Sequence, residues 1–147
     1  KKWIHCFEGV KAIVFVASLS EYDQTLAEDR TTNRMQESLK LFEGILSLVW
    51  FRDVPVILFL NKHDIFKRKI KKSELGNVFG DYHGGFDHKQ ALNYITNRYL
   101  DCNFDENRSV YVHATTAVNT DNITMIWKST KEMILLSNLR DTGMTNF

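Results

Sequence analysis

Asn61, Lys62 and Asp64 stand as N-K-x-D directly behind an apolar run, residues 54–60 (VPVILFL). The set suits a guanine base. A carboxylate such as Asp64 accepts two hydrogen bonds, from guanine N1–H and from its exocyclic amine, and adenine offers no such donor pair. Asn61 can bond N7 and tie neighbouring loops together. The aliphatic stem of Lys62 can lie flat over the base while its ammonium stays in water. Hydrogen bonds to a charged group contribute about 1.5–3 kcal/mol each, so two of them supply about 3–6 kcal/mol of discrimination, on the order of a hundredfold or more. The tetrapeptide also has a plain reading, because Asn and Asp build turns after strands. Its place behind the apolar run favours base binding.

A second loop follows the run at residues 110–114 (VYVHA) and reads Thr115-Thr116-Ala117. Alone, it is a strand-to-helix turn capped by Thr or Asn. Paired with N-K-x-D one strand earlier, it gains a role. The Ala117 N–H would donate to guanine O6, which requires a small side chain there.

The elements that must hold these loops are legible in the apolar pattern. Short apolar runs alternate with longer helical patterns, the mark of an α/β parallel sheet with crossover helices. Residues 12–17 (AIVFVA) are apolar without alternation and predict a strand buried on both faces. Met35, Leu39, Phe42, Ile45, Leu46 and Val49 predict one face of a long helix. Residues 54–60 predict the second strand, with Pro55 near its start, where the missing N–H does least harm. A basic, helical-looking stretch runs from residue 64 to about residue 78. Asp87 and Gln90 have capping-box-like spacing ahead of Leu92, Ile95 and Tyr99. Residues 110–114 predict the third strand. Ile123, Ile126, Trp127, Thr130, Met133 and Ile134 predict a last helix fraying near Asn138. The count is three strands and about four full helices, with ligands expected at the carboxyl ends of the strands.

Composition narrows the class. The chain has 147 residues, 44% apolar and 25% charged, as soluble domains do. Nineteen basic residues against eighteen acidic ones give a net charge of +1, which argues against a nucleic-acid partner or a broad membrane-binding field. The run KRKIKK at 67–72 is the local exception and reads as a solvated helix face. The two cysteines, Cys6 and Cys102, have no metal or redox spacing. No apolar run reaches the length of a membrane span. The chain starts at Lys1, and the amphipathic spacing of Trp3, Ile4 and Phe7 begins abruptly, which suggests an upstream part.

Longer segments carry a family resemblance. KKWIHCFEGV at 1–10, LSEYDQTLAED at 19–29, ILFLNK and the following Asp64, KIKKS at 69–73, TTAVNT at 115–120 and NLRD at 138–141 together resemble heterotrimeric G-protein alpha subunits. The resemblance covers nearly the whole chain. Small Ras-like GTPases share the guanine motifs but not the other segments. TTAVNT and EDRTTNR look like the G-twelve/thirteen class, KKWIHCFEGV and NLRD more like Gi/o. His63 stands where Lys is usual, and Thr116 where Cys is usual.

The resemblance implies the carboxyl-terminal half of a Ras-like P-loop GTPase fold, and a GTP/GDP switch linking receptors to effectors. Residues 1–10 would end the second switch, with Lys2, Trp3, Cys6, Phe7 and Glu8 facing the beta-gamma dimer or an effector enzyme. Residues 19–33 match the third switch, and Glu37 a glutamate that pairs with a second-switch arginine. The base-facing set is Asn61, Lys62, Asp64 and Ile65 in the 61–64 loop region, with Thr116, Ala117 and Val118 in the guanine loop, 115–118. Residues 120–147 match the receptor-facing helix and tail, with Asn138, Leu139, Gly143 and Phe147 toward a G-protein-coupled receptor. Localisation would be peripheral, at the cytoplasmic face of the plasma membrane, through amino-terminal lipidation. GTP hydrolysis needs a phosphate loop, Mg2+ ligands, an arginine and a water-orienting glutamine. No G-x-x-x-x-G-K-[ST] occurs. The expectation is that catalytic and Mg2+-binding residues lie upstream and that this chain alone is inactive. The alternative expectation is a truncated, non-catalytic interaction module that keeps receptor and effector surfaces.

Overall fold

In this computed structural model the described residues are 9–116 and 120–141, with the side chains at 120, 122, 123, 137, 138, 140 and 141 excepted. They fall in two compact units, Lys1–Thr116 and Ala117–Phe147.

The first unit holds one sheet of three parallel strands, ordered β1-β2-β3. They are β1 (Ile13–Ser18), β2 (Val56–Asn61) and β3 (Val110–Ala114). β1 and β2 pair from Ile13 with Val56 to Ser18 with Asn61, and β2 and β3 from Val56 with Val110 to Leu60 with Ala114. The central strand is the most apolar, and Val56, Ile57, Leu58 and Leu60 are buried. Parallel pairing requires crossovers, which α1 (Arg34–Leu46) and α3 (His88–Leu100) supply. Met35, Leu39, Phe42 and Leu46 of α1 and Ala91, Ile95 and Tyr99 of α3 share one core with Leu58 and Leu60. Phe42 is its hub, with ring centroids 4.8 Å from Phe15 and 5.6 Å from Tyr99.

Local signals place the helix ends. Asn33 Oδ1 accepts from the backbone N–H groups of Met35 and Gln36 and starts α1. Asp87 Oδ1 accepts from those of Lys89 and Gln90, and Gln90 Nε2 donates to Asp87 Oδ2, so the 87/90 spacing is a working cap.

The three strands and the four α-helices agree with the expected α/β class, and several bounds differ. β1 is not buried on both faces: Val14 and Val16 are 45% and 60% exposed. Ile13 and Phe15 pack against the core, while the alternating Val14 and Val16 point to the other face of the sheet, which stays open. α1 ends at Leu46, because Leu48 adopts extended geometry before a 3-10 turn at Val49–Phe51. That turn buries Phe51 and leaves Val49 exposed. The basic stretch is a short helix, α2 (His63–Lys69), and then a 3-10 turn at Leu75–Asn77, since Glu74 is again extended.

In the second unit, α4 (Thr120–Asp141) is continuous and runs past Asn138. Its Thr130 hydroxyl donates to the Ile126 carbonyl at 2.6 Å, an internal bond that keeps a β-branched polar residue within the helix.

Candidate functional site

The in-register ends of β2 and β3 bring the two sequence loops side by side. The ladder continues beyond the strands: Thr115 N–H donates to Leu60 O at 2.8 Å, and His63 N–H donates to Thr115 O at 3.0 Å. The Thr115 hydroxyl donates to Asn61 Oδ1 at 3.2 Å. Asn61 therefore ties the loops together, as its chemistry suggests. Its partner is Thr115, a buried residue that the motif reading passed over in favour of Thr116. The available signal was a hydroxyl placed immediately behind a strand, opposite an Asn in register.

Lys62 is the one non-glycine residue with positive φ among the described residues, at φ 59 and ψ 39. The left-handed region costs an ordinary side chain about 1–3 kcal/mol and persists only where neighbours over-determine it. Here the bonds of Asn61 and His63 to Thr115 hold the residues on both sides. The reversal at Lys62 lets α2 begin at once, which puts Asp64 in the helix's first turn. Asp64 is half-buried, and no ion pair engages it among the described residues. A carboxylate at a helix start is favoured by the backbone N–H groups there.

His63 stands between them, half-buried, with no hydrogen-bond partner for its Nε2 among the described residues. Burial pushes its pKa below the ordinary 6.5, and nearby Lys67 and His88 push the same way against the opposing pull of Asp64. Its ring centroid lies 6.4 Å from that of His88 at the start of α3. Ile65 is 36% exposed beside the loop, and the buried Phe66 anchors α2 with its ring edge-on to Tyr22.

α2 is also fastened to residues 19–33. Lys69 Nζ donates to Ser20 O at 2.7 Å and pairs with Asp23. Tyr22 O accepts from Asn33 Nδ2 at 2.7 Å, Arg34 Nε donates to Thr25 O at 3.0 Å, and Arg34 pairs with Glu21. This loop is thus closed on itself at the head of α1 and braced against the helix that follows the N-K-x-D loop. Glu37 is exposed in the first turn of α1.

Of the predicted site residues, the structure brings together Asn61, Lys62, Asp64, Ile65 and Thr116. Ala117 and Val118 lie outside the described residues, as do Lys2, Trp3, Cys6, Phe7, Glu8, Gly143 and Phe147. Asn138 and Leu139 lie in the last turns of α4, with the Asn138 side chain outside the description. Among the described residues no group of three His, Cys, Asp or Glu could hold a metal ion. No helix of the described residues is long and apolar enough to cross a membrane.

An open parallel sheet with polar loops gathered at the carboxyl ends of neighbouring strands defines the class of α/β domains that take ligands at that edge. The family model described as the G-protein alpha subunit matches residues 1–134. The chain belongs to that family. It is 49% identical over 144 residues to a guanine nucleotide-binding protein G(o) subunit alpha of Caenorhabditis elegans, covering 98% of this chain and 41% of that protein. It is 48% identical to the G(o) subunit alpha of Locusta migratoria and 46% identical to a guanine nucleotide-binding protein alpha-1 subunit of Mycosarcoma maydis, with the same coverage. The chain thus spans about two fifths of the length of these relatives.

Proposed function

We propose that this chain supplies the guanine-recognising part of a GTP-binding, GTP-hydrolysing switch subunit. The observation that carries the reading is the Thr115–Asn61 bond, which locks the N-K-x-D loop to the loop behind β3. In this reading Asp64 accepts from guanine N1–H and the exocyclic amine, Asn61 contacts N7, and the Lys62 stem and Ile65 pack against the base. Thr116 would contribute from the loop behind β3, and Ala117 and Val118, expected beside it from the sequence, lie outside the described residues.

The whole protein would bind GTP and GDP. Phosphate and Mg2+ contacts would come from a phosphate loop and switch residues that this sequence does not contain. Residues 1–10 would then end the second switch, 19–33 form the third, and 120–147 face a receptor. A beta-gamma dimer and an effector would be the further partners, at the cytoplasmic face of the plasma membrane. The brace of Lys69 on Ser20 and Asp23 supports a coupled response of the 19–33 loop and the base-binding loop.

The test is competition against a fluorescent guanine nucleotide on the full-length protein carrying this segment. GDP should displace the probe and ADP should not. Equal displacement by both would refute the reading.

A further inference from the structure

The basic run 67–72 has a structural consequence that base recognition does not use. α2 ends on Lys67, Arg68 and Lys69, where cations suit the negative end of a helix. The chain then turns, with Lys72 and Ser73 N–H both donating to Lys69 O at 2.9 Å. Ile70 is fully buried and pulls the run against the core. The turn gathers Arg68, Lys69, Lys71 and Lys72 around one concavity of about 380 Å³, whose remaining wall is the exposed Ile65.

The four cations are not equivalent. Lys69 is committed to Ser20 O and Asp23 and lies 5.5 Å from the Tyr22 ring centroid. Among the described residues no carboxylate pairs with Arg68, Lys71 or Lys72. Three unneutralised cations therefore share one concavity with an apolar wall, and their mutual repulsion is relieved only by an anion or by water.

We propose that this concavity docks an acidic segment of a partner protein. An apolar side chain of that segment seats against Ile65, and flanking carboxylates pair with Arg68, Lys71 and Lys72. Charge complementarity selects the occupant. The exposed Ile65 beside the cations suits a segment that carries an apolar side chain between its carboxylates. The pairs are solvent-exposed, so binding is modest and salt-sensitive.

The experiment is fluorescence anisotropy of the full chain with a fluorescein-labelled peptide of alternating glutamate and leucine, with folding of each variant checked by circular dichroism. Saturable binding should weaken about fivefold between about 50 and about 200 mM NaCl. It should fall about tenfold in the triple variant R68E/K71E/K72E. The charge-keeping variant R68K/K71R/K72R should retain it, which separates lost charge from lost fold. Ile65→Ser should weaken binding without changing its salt dependence, and K89E, on exposed α3 surface, should leave it unchanged. Unchanged affinity in the charge-reversal variant, or an equal loss in K89E, would overturn the proposal. So would failure to bind the peptide while phosphatidylserine vesicles co-sediment the wild-type chain and not R68E/K71E/K72E, which would assign the patch to a membrane.

Discussion

The two ends of the sheet treat their polar groups in opposite ways. Just before β3, the buried Arg108 donates through Nη1 to Leu46 O at 3.0 Å, and through Nε and Nη2 to Arg52 O at 3.1 and 3.0 Å. One guanidinium thus satisfies the carbonyl end of α1 and the turn after it, where the helix dipole favours a cation. Asn103 Nδ2 closes the adjoining loop on Asp105 O and Arg108 O, leaving only its Oδ1 unpaired. At the carboxyl end, behind β2, Lys62 is held left-handed, His63 Nε2 has no partner, and Asp64 has no ion pair among the described residues. Hydrogen-bonding capacity is consumed at the first end and held open at the second. A fold tolerates strain and unpaired groups where a ligand would use them, if it is well satisfied elsewhere.

That contrast can be broken by substitution, and the largest effect should come from Asp64. In the full-length protein, Asp64→Asn should weaken guanine nucleotide binding by about 3–6 kcal/mol and favour xanthine nucleotides, because the donor pattern at the 2-position is reversed. Calorimetric titration with both nucleotides checks this, and the urea midpoint should scarcely move. A large loss of stability with unchanged affinity would mean that Asp64 belongs with the structural end.

Arg108→Met should do the reverse. The buried Leu46 carbonyl and the part-buried Arg52 carbonyl lose their donor, and urea unfolding should show a loss of about 2–4 kcal/mol with nucleotide affinity intact. Lys62→Gly sharpens the comparison, because it relieves the left-handed strain at the cost of glycine's extra freedom. Stability should rise by about 0.5–1 kcal/mol while base affinity falls. A variant that loses stability would show that the Lys62 side chain packs structurally.

The smallest effect is on pH dependence. Burial holds the pKa values of His63 and His113 below 6.5 in the folded chain. As pH falls through that value the unfolded chain takes up protons first, so stability should decline below about pH 6.5 and stay level above it. His63→Gln should make the decline shallower in urea midpoints measured between about pH 7.5 and about pH 5.5. An unchanged slope would mean that the His63 imidazole titrates freely.

Much of this arrangement was legible before any coordinates. β3 falls where the apolar run 110–114 places it, and α3 starts at the cap that Asp87 and Gln90 announce. Strand and cap signals are local, so a few adjacent residues suffice to state them. The end of α1 was not legible, because Val49 continues the helical period and only the extended backbone at Leu48 and the bonding of Arg108 to Leu46 O end it. Nor was the exposure of Val14 and Val16, which depends on what covers the second face of β1.

The sequence by itself determined the chemistry available behind each strand: an amide, a lysine stem and a carboxylate at 61–64, and hydroxyls at 115 and 116. It also determined the order of strands and helices, since periodicity and caps are written in near neighbours. Only the tertiary structure decided that Thr115, rather than Thr116, bonds Asn61, that Lys62 turns left-handed, and that Arg108, 62 positions from Leu46, caps α1. Those facts arise from parallel register across separate strands. Register is set by packing of the whole core, and no short stretch of sequence contains it.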